Sequence, residues 1–348
     1  MPIRLHFPWR HATPQEKAAK DAAAQERARL KDDLAEVRRV AAVRRDADLQ
    51  ALAAGGIPAT AATRLSGIRA ADPERSVFSS NLSPDEAALL RRNGYRPLGL
   101  VTGSAMYNVG AVYPGPFRVP VANQPGAGSA RNRTTLVYRD YELAALSRAY
   151  TEAMRLAVTR MQQEATAIGA RGVVGVRFKM IHAGWTRRTI EVQLFGTAIA
   201  GPGAVTETPW LSDLSGQEWY ALHRAGYDPA GLVYGHCAWF IWARQQDRPL
   251  SFDRRNQERV YFSDALRQCR NRANGAVHAL AKELKAVGVV GMHLTRNVEE
   301  FTFSVDGEHH LVRLHMIGTA IHLRPDAPKS VGETSMVLSL RDGRITRR

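Results

Sequence analysis

The sequence predicts an α+β protein: two tandem β-α-β-β modules behind an N-terminal helix. Three observations predict it. A segment beginning Ser80-Asn81-Leu82-Ser83 realigns without a gap to one beginning Ser212-Asp213-Leu214-Ser215, 132 positions later. Both segments open with the same helix-start signature, Ser83 with Glu86 and Ser215 with Glu218. The apolar spacing then changes in the same order in each, from strand-like to helix-like and back to strand-like twice. Identities such as Leu90/Leu222, Gly94/Gly226, Tyr95/Tyr227 and Gly103/Gly235 make a tandem duplication the only reasonable source. The match resumes at Gly172-Val173-Val174-Gly175 with Gly288-Val289-Val290-Gly291, and at Gly196-Thr197-Ala198-Ile199 with Gly318-Thr319-Ala320-Ile321. The offset there is 116 and then 122, so insertions separate the matching blocks.

Residues 1–79 read as a helix and a linker. Thr13-Pro14-Gln15-Glu16 is a capping box, and Gly55-Gly56-Ile57-Pro58 stops the helix near Ala54. Leu30, Leu34, Val37 and Ala41 form a thin stripe at coiled-coil spacing that Arg44 interrupts; self-association and a helix laid on the body both remain open. Module 1 occupies residues 80–200. Its short helix closes at Gly94, with Pro97 preventing continuation, and a strand Leu98–Tyr107 follows. After a Pro- and Gly-rich loop, Tyr113–Arg133, a long amphipathic helix is expected over Tyr141–Ile168, then strands Val173–Ile181 and Thr189–Ala200. Residues 201–211 are a linker. Module 2, residues 212–323, repeats the short helix, a strand Ala230–Trp242, a helix Ser263–Val287 and strands Val289–Thr295 and His310–Leu323. Asp306-Gly307 is a hairpin dipeptide between the last two. The tail, residues 324–348, holds one candidate strand, Met336–Leu340, and a basic end, Arg344–Arg348.

The 348 residues are 45% hydrophobic, enough for real cores. Two cysteines, Cys237 and Cys269, exclude a disulfide framework and a four-thiolate zinc site. Met1 to Arg10 lacks the apolar core of a secretory signal, and the longest apolar stretch, Cys237 to Ala243, is far short of the ~20 residues that span a bilayer. A reduced, cytoplasmic protein without a transmembrane segment is the expectation. The net charge of +15 is uneven: Leu90 to Ala200 holds 15 basic and 5 acidic residues, whereas residues 218–322 hold 13 and 11. Such a surplus attracts nucleic acid or another anionic surface, although 41 Arg against 7 Lys is also what a GC-rich genome produces. Arg91, Arg92, Arg96, Arg131, Arg133, Arg187 and Arg188 lack interleaved aromatics, so this contact would be weak, non-specific and salt-sensitive. Phe7, Trp9 and Arg10 offer a still weaker touch on an anionic membrane.

No HExxH, CxxC pair, phosphate loop or nucleophile elbow is present, and the sequence reads as a non-enzyme. Histidine is the anomaly: eight of eleven follow Ala221. His236, Cys237, His293 and His322 are the candidate metal ligands, with a divalent transition metal such as zinc the cofactor they suit. Pairing the last two strands through Asp306-Gly307 puts His322 near Gly291, diagonal to His293. Scattered packing histidines are the competing reading, with His309 and His310 as hairpin residues. Trp239-Phe240-Ile241-Trp242 and Trp185 suit core or interface packing better than a stacked flat ligand.

Leu98-Gly99-Leu100-Val101-Thr102-Gly103, the long helix, Gly169-Ala170-Arg171-Gly172-Val173-Val174-Gly175-Val176-Arg177 and Phe195-Gly196-Thr197-Ala198 together resemble the YbjQ-like family, which carries a heavy-metal-binding label. Module 1 is similar over its whole length apart from the insert; module 2 keeps the glycines but is shortened before Gly288, as a degenerate second member. The resemblance implies a dodecin-like subunit that assembles into a ring, usually a pentamer, with strands inside and helices outside. It also implies no enzymatic activity and supplies no ligand set. Elementary physics points the same way, because a three-stranded sheet backed by one helix leaves edges and a face uncovered unless sheets close on one another. The resulting expectation is a homo-oligomeric scaffold, favouring a pentamer with two stacked rings over an even ring of three chains. The alternatives are a module binding metal or a small ligand in module 2 or between chains, and non-specific anion binding by module 1.

Overall fold

The computed structural model describes residues 14–70, 79–109, 117–120, 134–137, 140–182, 189–202, 208–242, 258–302, 308–325, 336–338 and 345–347. Two compact units result, Met1–Thr63 and Arg64–Arg348. In the first, α1 (Pro14–Ala53) runs to the stop seen in the sequence, where Gly55 turns at φ +77°. The start of α2 (Ala59–Ala70) is tied down by Asp48, which accepts from the Thr60 amide and hydroxyl at 3.1 and 3.2 Å. Leu30, Leu34 and Val37 are exposed along α1.

The second unit holds, in order, α3 (Pro84–Arg92), β1 (Arg96–Asn108), β2 (Phe117–Pro120), β3 (Thr134–Val137), β4 (Tyr141–Glu142), α4 (Ala144–Ala167), β5 (Gly172–His182) and β6 (Thr189–Ala200). There follow β7 (Trp210–Leu211), α5 (Gly216–Arg224), β8 (Tyr227–Ile241), α6 (Val260–Glu283), β9 (Gly288–Thr302), β10 (Glu308–Leu323), β11 (Met336–Leu338) and β12 (Ile345–Arg347). One sheet has the order β1-β6-β5-β7 and the other β4-β8-β10-β9; β2 pairs with β3 and β11 with β12. Several elements depart from the sequence expectation: β2 falls within the segment expected as a loop, β3 and β12 add strands that the sequence did not predict, and two further changes have a visible cause. Tyr141–Glu142, assigned to the long helix, is a strand, because the edge of β8 takes its backbone groups and those of Leu143 (N to Ala238 O, 2.8 Å). Trp210–Leu211, assigned to the linker, pairs in parallel with β5.

Both capping boxes form: Ser83 and Ser215 accept from the amides of Glu86 and Glu218, whose carboxylates return to the serine amides. α4 backs the first sheet and α6 the second, each with its backbone pressed against one strand glycine. A Cβ on Gly103 would lie 2.0 Å from Ala157 O, and one on Gly235 1.9 Å from Ala273 O. Only glycine permits that approach. Matching bulges interrupt the last strand pairs, between Val174 and Arg177 on β5 and opposite Ile317–Thr319 on β10, with Gly175 and Gly291 at φ +64° and +65°.

Between Leu100 and Ser104 the outer edge of β1 is covered by side chains rather than by a described strand. Arg64 donates to Leu100 O (3.3 Å), Glu164 accepts from Thr102 N (2.8 Å) and Arg160 donates to Ser104 O (2.6 Å). Glu164 is buried there, and its ion pair with Arg64 at 3.0 Å offsets the cost of removing its charge from water.

Candidate assembly site

The two sheets meet at a joint built from a short strap. After β7 the strap runs on along β5: Ser212 N bonds Val173 O (2.9 Å), Val176 N bonds Ser212 O (2.9 Å) and Gly175 N bonds Leu214 O (2.8 Å). Gly172 makes room for the strap, since a Cβ there would stand 2.3 Å from the Trp210 indole. The strap's side chains reach the other sheet. Ser212 Oγ shares a hydrogen bond with Thr319 Oγ1 (2.9 Å), Asp213 N donates to Thr319 Oγ1 (3.1 Å), and the Thr319 hydroxyl donates to the Asp213 carboxyl. A second contact line lies at the start of α4, where Ser147 Oγ accepts from Ala238 N (3.0 Å) and Asp140 accepts from Trp242 N (2.7 Å). Between the two, Tyr150 sets its ring edge-on to His315 (centroids 4.7 Å), whose Nδ1 lies 3.1 Å from His236 Nδ1.

Several ionisable groups in this joint are shifted from their ordinary values, among them the Tyr150 phenol, which burial raises. His236 is held well below the usual imidazole range, first by burial and then by the neighbouring His315. A neutral pair satisfies the short Nδ1 contact when one ring donates and the other accepts. Asp213 is raised, chiefly by burial, against the opposing effects of the Thr319 hydroxyl and His293, whose Nε2 is 3.8 Å away.

The candidate metal ligands are dispersed. His236 and Cys237 are consecutive on β8 and face opposite sides. His236 meets His315, while Cys237 is buried under α6, where Cys269 Sγ donates to its carbonyl (3.6 Å). The Cys269 hydrogen bond and burial push the Cys237 thiol up, so it stays protonated. His293 is exposed beside Asp213, and His322 bonds Leu284 O through Nε2 (2.7 Å). The expected diagonal between His322 and His293 does not form. The register of the described residues, with Glu308 opposite Thr302, differs from the one that Asp306-Gly307 implies, so that Ile321, not His322, is the last residue paired with β9, at Gly288. Among the described residues no three His, Cys, Asp or Glu side chains are gathered as a metal would need.

Of the other residues singled out, Trp242 stacks on buried His309 at 3.9 Å and Trp239 joins the core of Cys237, Cys269 and Leu314. His309 and His310 are buried strand residues of β10. Arg91, Arg92 and Arg96 are exposed, and Arg131, Arg133, Trp185, Arg187, Arg188 and the Asp306-Gly307 dipeptide lie outside the described residues. Ser212, Asp213, Thr319, Tyr150 and His315 carry the joint, and the sequence reading did not select them for it. The signal available was the Asn81-to-Asp213 change within an otherwise conserved stretch.

No helix among the described residues is long and apolar enough to cross a membrane. A family model described as "Putative heavy-metal-binding" matches residues 141–201, which comprise β4, α4, β5 and β6. No solved structure matches the chain. The encapsulin nanocompartment protein Rv1762c of Mycobacterium tuberculosis is 31% identical over 250 residues, covering 70% of this chain and 85% of that protein. At that identity and coverage, the chain belongs to the family of this Mycobacterium tuberculosis protein.

Proposed function

We propose that the chain is a non-enzymatic, self-assembling structural subunit composed of two dodecin-like modules, the second a degenerate relative of the first. One observation carries this reading. Among the described residues β9 is the last strand of its sheet, and Met292, Leu294 and Val298 stand exposed along it, whereas Val176, the β5 counterpart of Met292, is buried beneath the strap. A strand edge that no described strand covers, with exposed apolar side chains along it, is a template for another chain. The name of the mycobacterial relative, a nanocompartment protein, favours assembly as the role of this edge. Sedimentation equilibrium at micromolar concentration tests the proposal. A mass that is an integral multiple of 38.4 kDa is expected, and a single species of 38.4 kDa would contradict it.

A divalent metal held by His236, Cys237, His293 or His322 is the second reading, favoured by the heavy-metal-binding description of the matching model. Among the described residues, exposed His293 lies 3.8 Å from the buried Asp213 carboxyl, and on this reading a neighbouring chain supplies further ligands. Calorimetry with zinc on the wild type and on His293→Ala tests it; equal, negligible heats would end it.

A further inference from the structure

We infer that copies of this chain join head to tail by a joint that repeats the internal one, the strap Ser79–Leu82 of one copy lying on the β9 edge of the next. The inference rests on the self-assembly reading and names the surfaces it uses.

The internal joint has two halves, and each has an unused duplicate elsewhere in the chain. The receiving half is the bulged edge of β5. Its duplicate on β9 keeps the same bulge, with Gly291 at φ +65° where β5 has Gly175 at +64°. The edge groups that hold the strap on β5 are Val173 O, Gly175 N and Val176 N, and the corresponding groups on β9 are Val289 O, Gly291 N and Met292 N. No strand covers them among the described residues. Met292 is 40% exposed, whereas Val176, its counterpart beneath the strap, is 1% exposed.

The inserting half is the strap itself, whose duplicate precedes α3. Ser80 and Asn81 bond Thr197 in the way that Ser212 and Asp213 bond Thr319: Ser80 Oγ lies 3.0 Å from Thr197 Oγ1, and Asn81 N donates to it at 3.1 Å. Leu82 N donates to Ser80 Oγ (3.0 Å), as Leu214 N does to Ser212 Oγ (3.2 Å). This first strap is therefore already shaped and anchored. Yet Ser212, Asp213 and Leu214 are buried against β5, while Ser79 and Asn81 are exposed and Ser80 and Leu82 only half-buried. Its outward groups, Ser80 N, Ser80 O and Leu82 O, are those that in the internal joint bond Val173, Val176 and Gly175. An edge and a strand of matching bond pattern, at opposite ends of one chain, fit a second copy by strand addition.

The second contact line is duplicated as well. At Ala238, which Ser147 caps, module 1 has Met106, 73% exposed; at the buried Ile317 it has Phe195, 39% exposed. The helix start that corresponds to Ser147 is Ser263 on α6. One translation along the series of modules thus brings β9 onto the strap and α6 onto β1 of the same neighbour. One difference modifies the copy. Gly216, which sits against Glu86 and lets α3 and α5 approach, is Pro84 at the outer joint, so that helix pair must stand wider. The contact is heterologous, and repeating it alternates the modules around a closed ring or along an open filament. Rings of like modules stacked on one another, the arrangement favoured from sequence, do not arise from this joint.

Engineered disulfides test the joint. Val173 and Leu211 are paired across the internal joint, so Val173→Cys with Leu211→Cys is the intramolecular control, and Val289→Cys with Ser79→Cys is the pair expected to bridge chains. On mild oxidation the second pair should give a ladder of covalent dimers, trimers and higher species, absent from either single variant alone. Met292→Glu, with the control disulfide still closing, should lower the sedimenting mass to 38.4 kDa at a concentration where the wild type is assembled. An assembled wild type whose Val289→Cys/Ser79→Cys variant gives no ladder, while the control pair closes in its own variant, would overturn the joint and leave self-assembly standing. A wild type of 38.4 kDa would overturn both.

Discussion

Asn81 and Asp213 hold the same place in two equivalent straps, each bonded to the threonine of the sheet behind it, and they differ by one protonatable oxygen. Asn81 uses its carboxamide nitrogen to donate to Gly175 O at 2.8 Å. Asp213, beside Gly291, offers an oxygen in that position, and Oδ2 finds no hydrogen-bond partner although it is buried. A neutral carboxylic acid can donate as the amide does, and this agrees with the raised pKa of Asp213.

Because the folded-state pKa of Asp213 is raised, its contribution to stability is complete below the ordinary carboxylate range and is lost as pH rises through the folded value. Asp213→Asn supplies the donor at every pH. It should stabilise the protein at pH 8 by about 1–3 kcal/mol, and by less at pH 5, in urea unfolding followed by tryptophan fluorescence. Wild type and variant with parallel pH profiles would show that the carboxyl is ionised throughout.

The His236–His315 pair gives the opposite dependence. His236 is depressed, so its neutral form contributes stability above the ordinary imidazole range, and that contribution is lost as pH falls toward the folded value. Between these limits the protein should lose about 1.4 kcal/mol per pH unit for this one proton. The double variant His236→Phe/His315→Leu should lack that slope between pH 6.5 and 5, as measured by denaturant unfolding at each pH. An unchanged slope would assign the acid sensitivity to other groups.

Gly172 and Trp210 are partners in the β5–β7 pairing, and the indole stands 2.3 Å from where a Cβ on Gly172 would lie. Gly172→Ala should cost roughly 2–3 kcal/mol in the wild-type background, as overpacking of a filled site does. In a Trp210→Ala background the same change should cost under about 1 kcal/mol, a coupling that a double-mutant cycle reads directly. Equal costs in both backgrounds would mean that the strap leaves β5 easily.

Much of this architecture is legible in the sequence because it rests on local signals. The boxes at Ser83 and Ser215 and the stops at Gly94 and Gly226 mark helix ends through hydrogen bonds made within a few residues. Elements that depend on distant partners are not legible. Tyr141–Glu142 continues a helical pattern and becomes a strand only because β8 lies alongside, and Trp210–Leu211 is too short to show a period. The candidate metal set failed to gather for two separable reasons. Alternation along β8 already sends His236 and Cys237 to opposite faces, which the period of a strand states in advance. The position of His322 depended on the register of β10 against β9, which the hairpin dipeptide did not fix.

Amide hydrogen exchange on the assembled wild type, read at Gly291 and Met292, tests the central claim most directly. If β9 receives the strap of a neighbour, these two amides should be protected to a degree comparable with Gly175 and Val176, which bond Leu214 O and Ser212 O inside the chain, and dilution to monomer should release only the first pair. Fast exchange at Gly291 and Met292 in an intact assembly would contradict it.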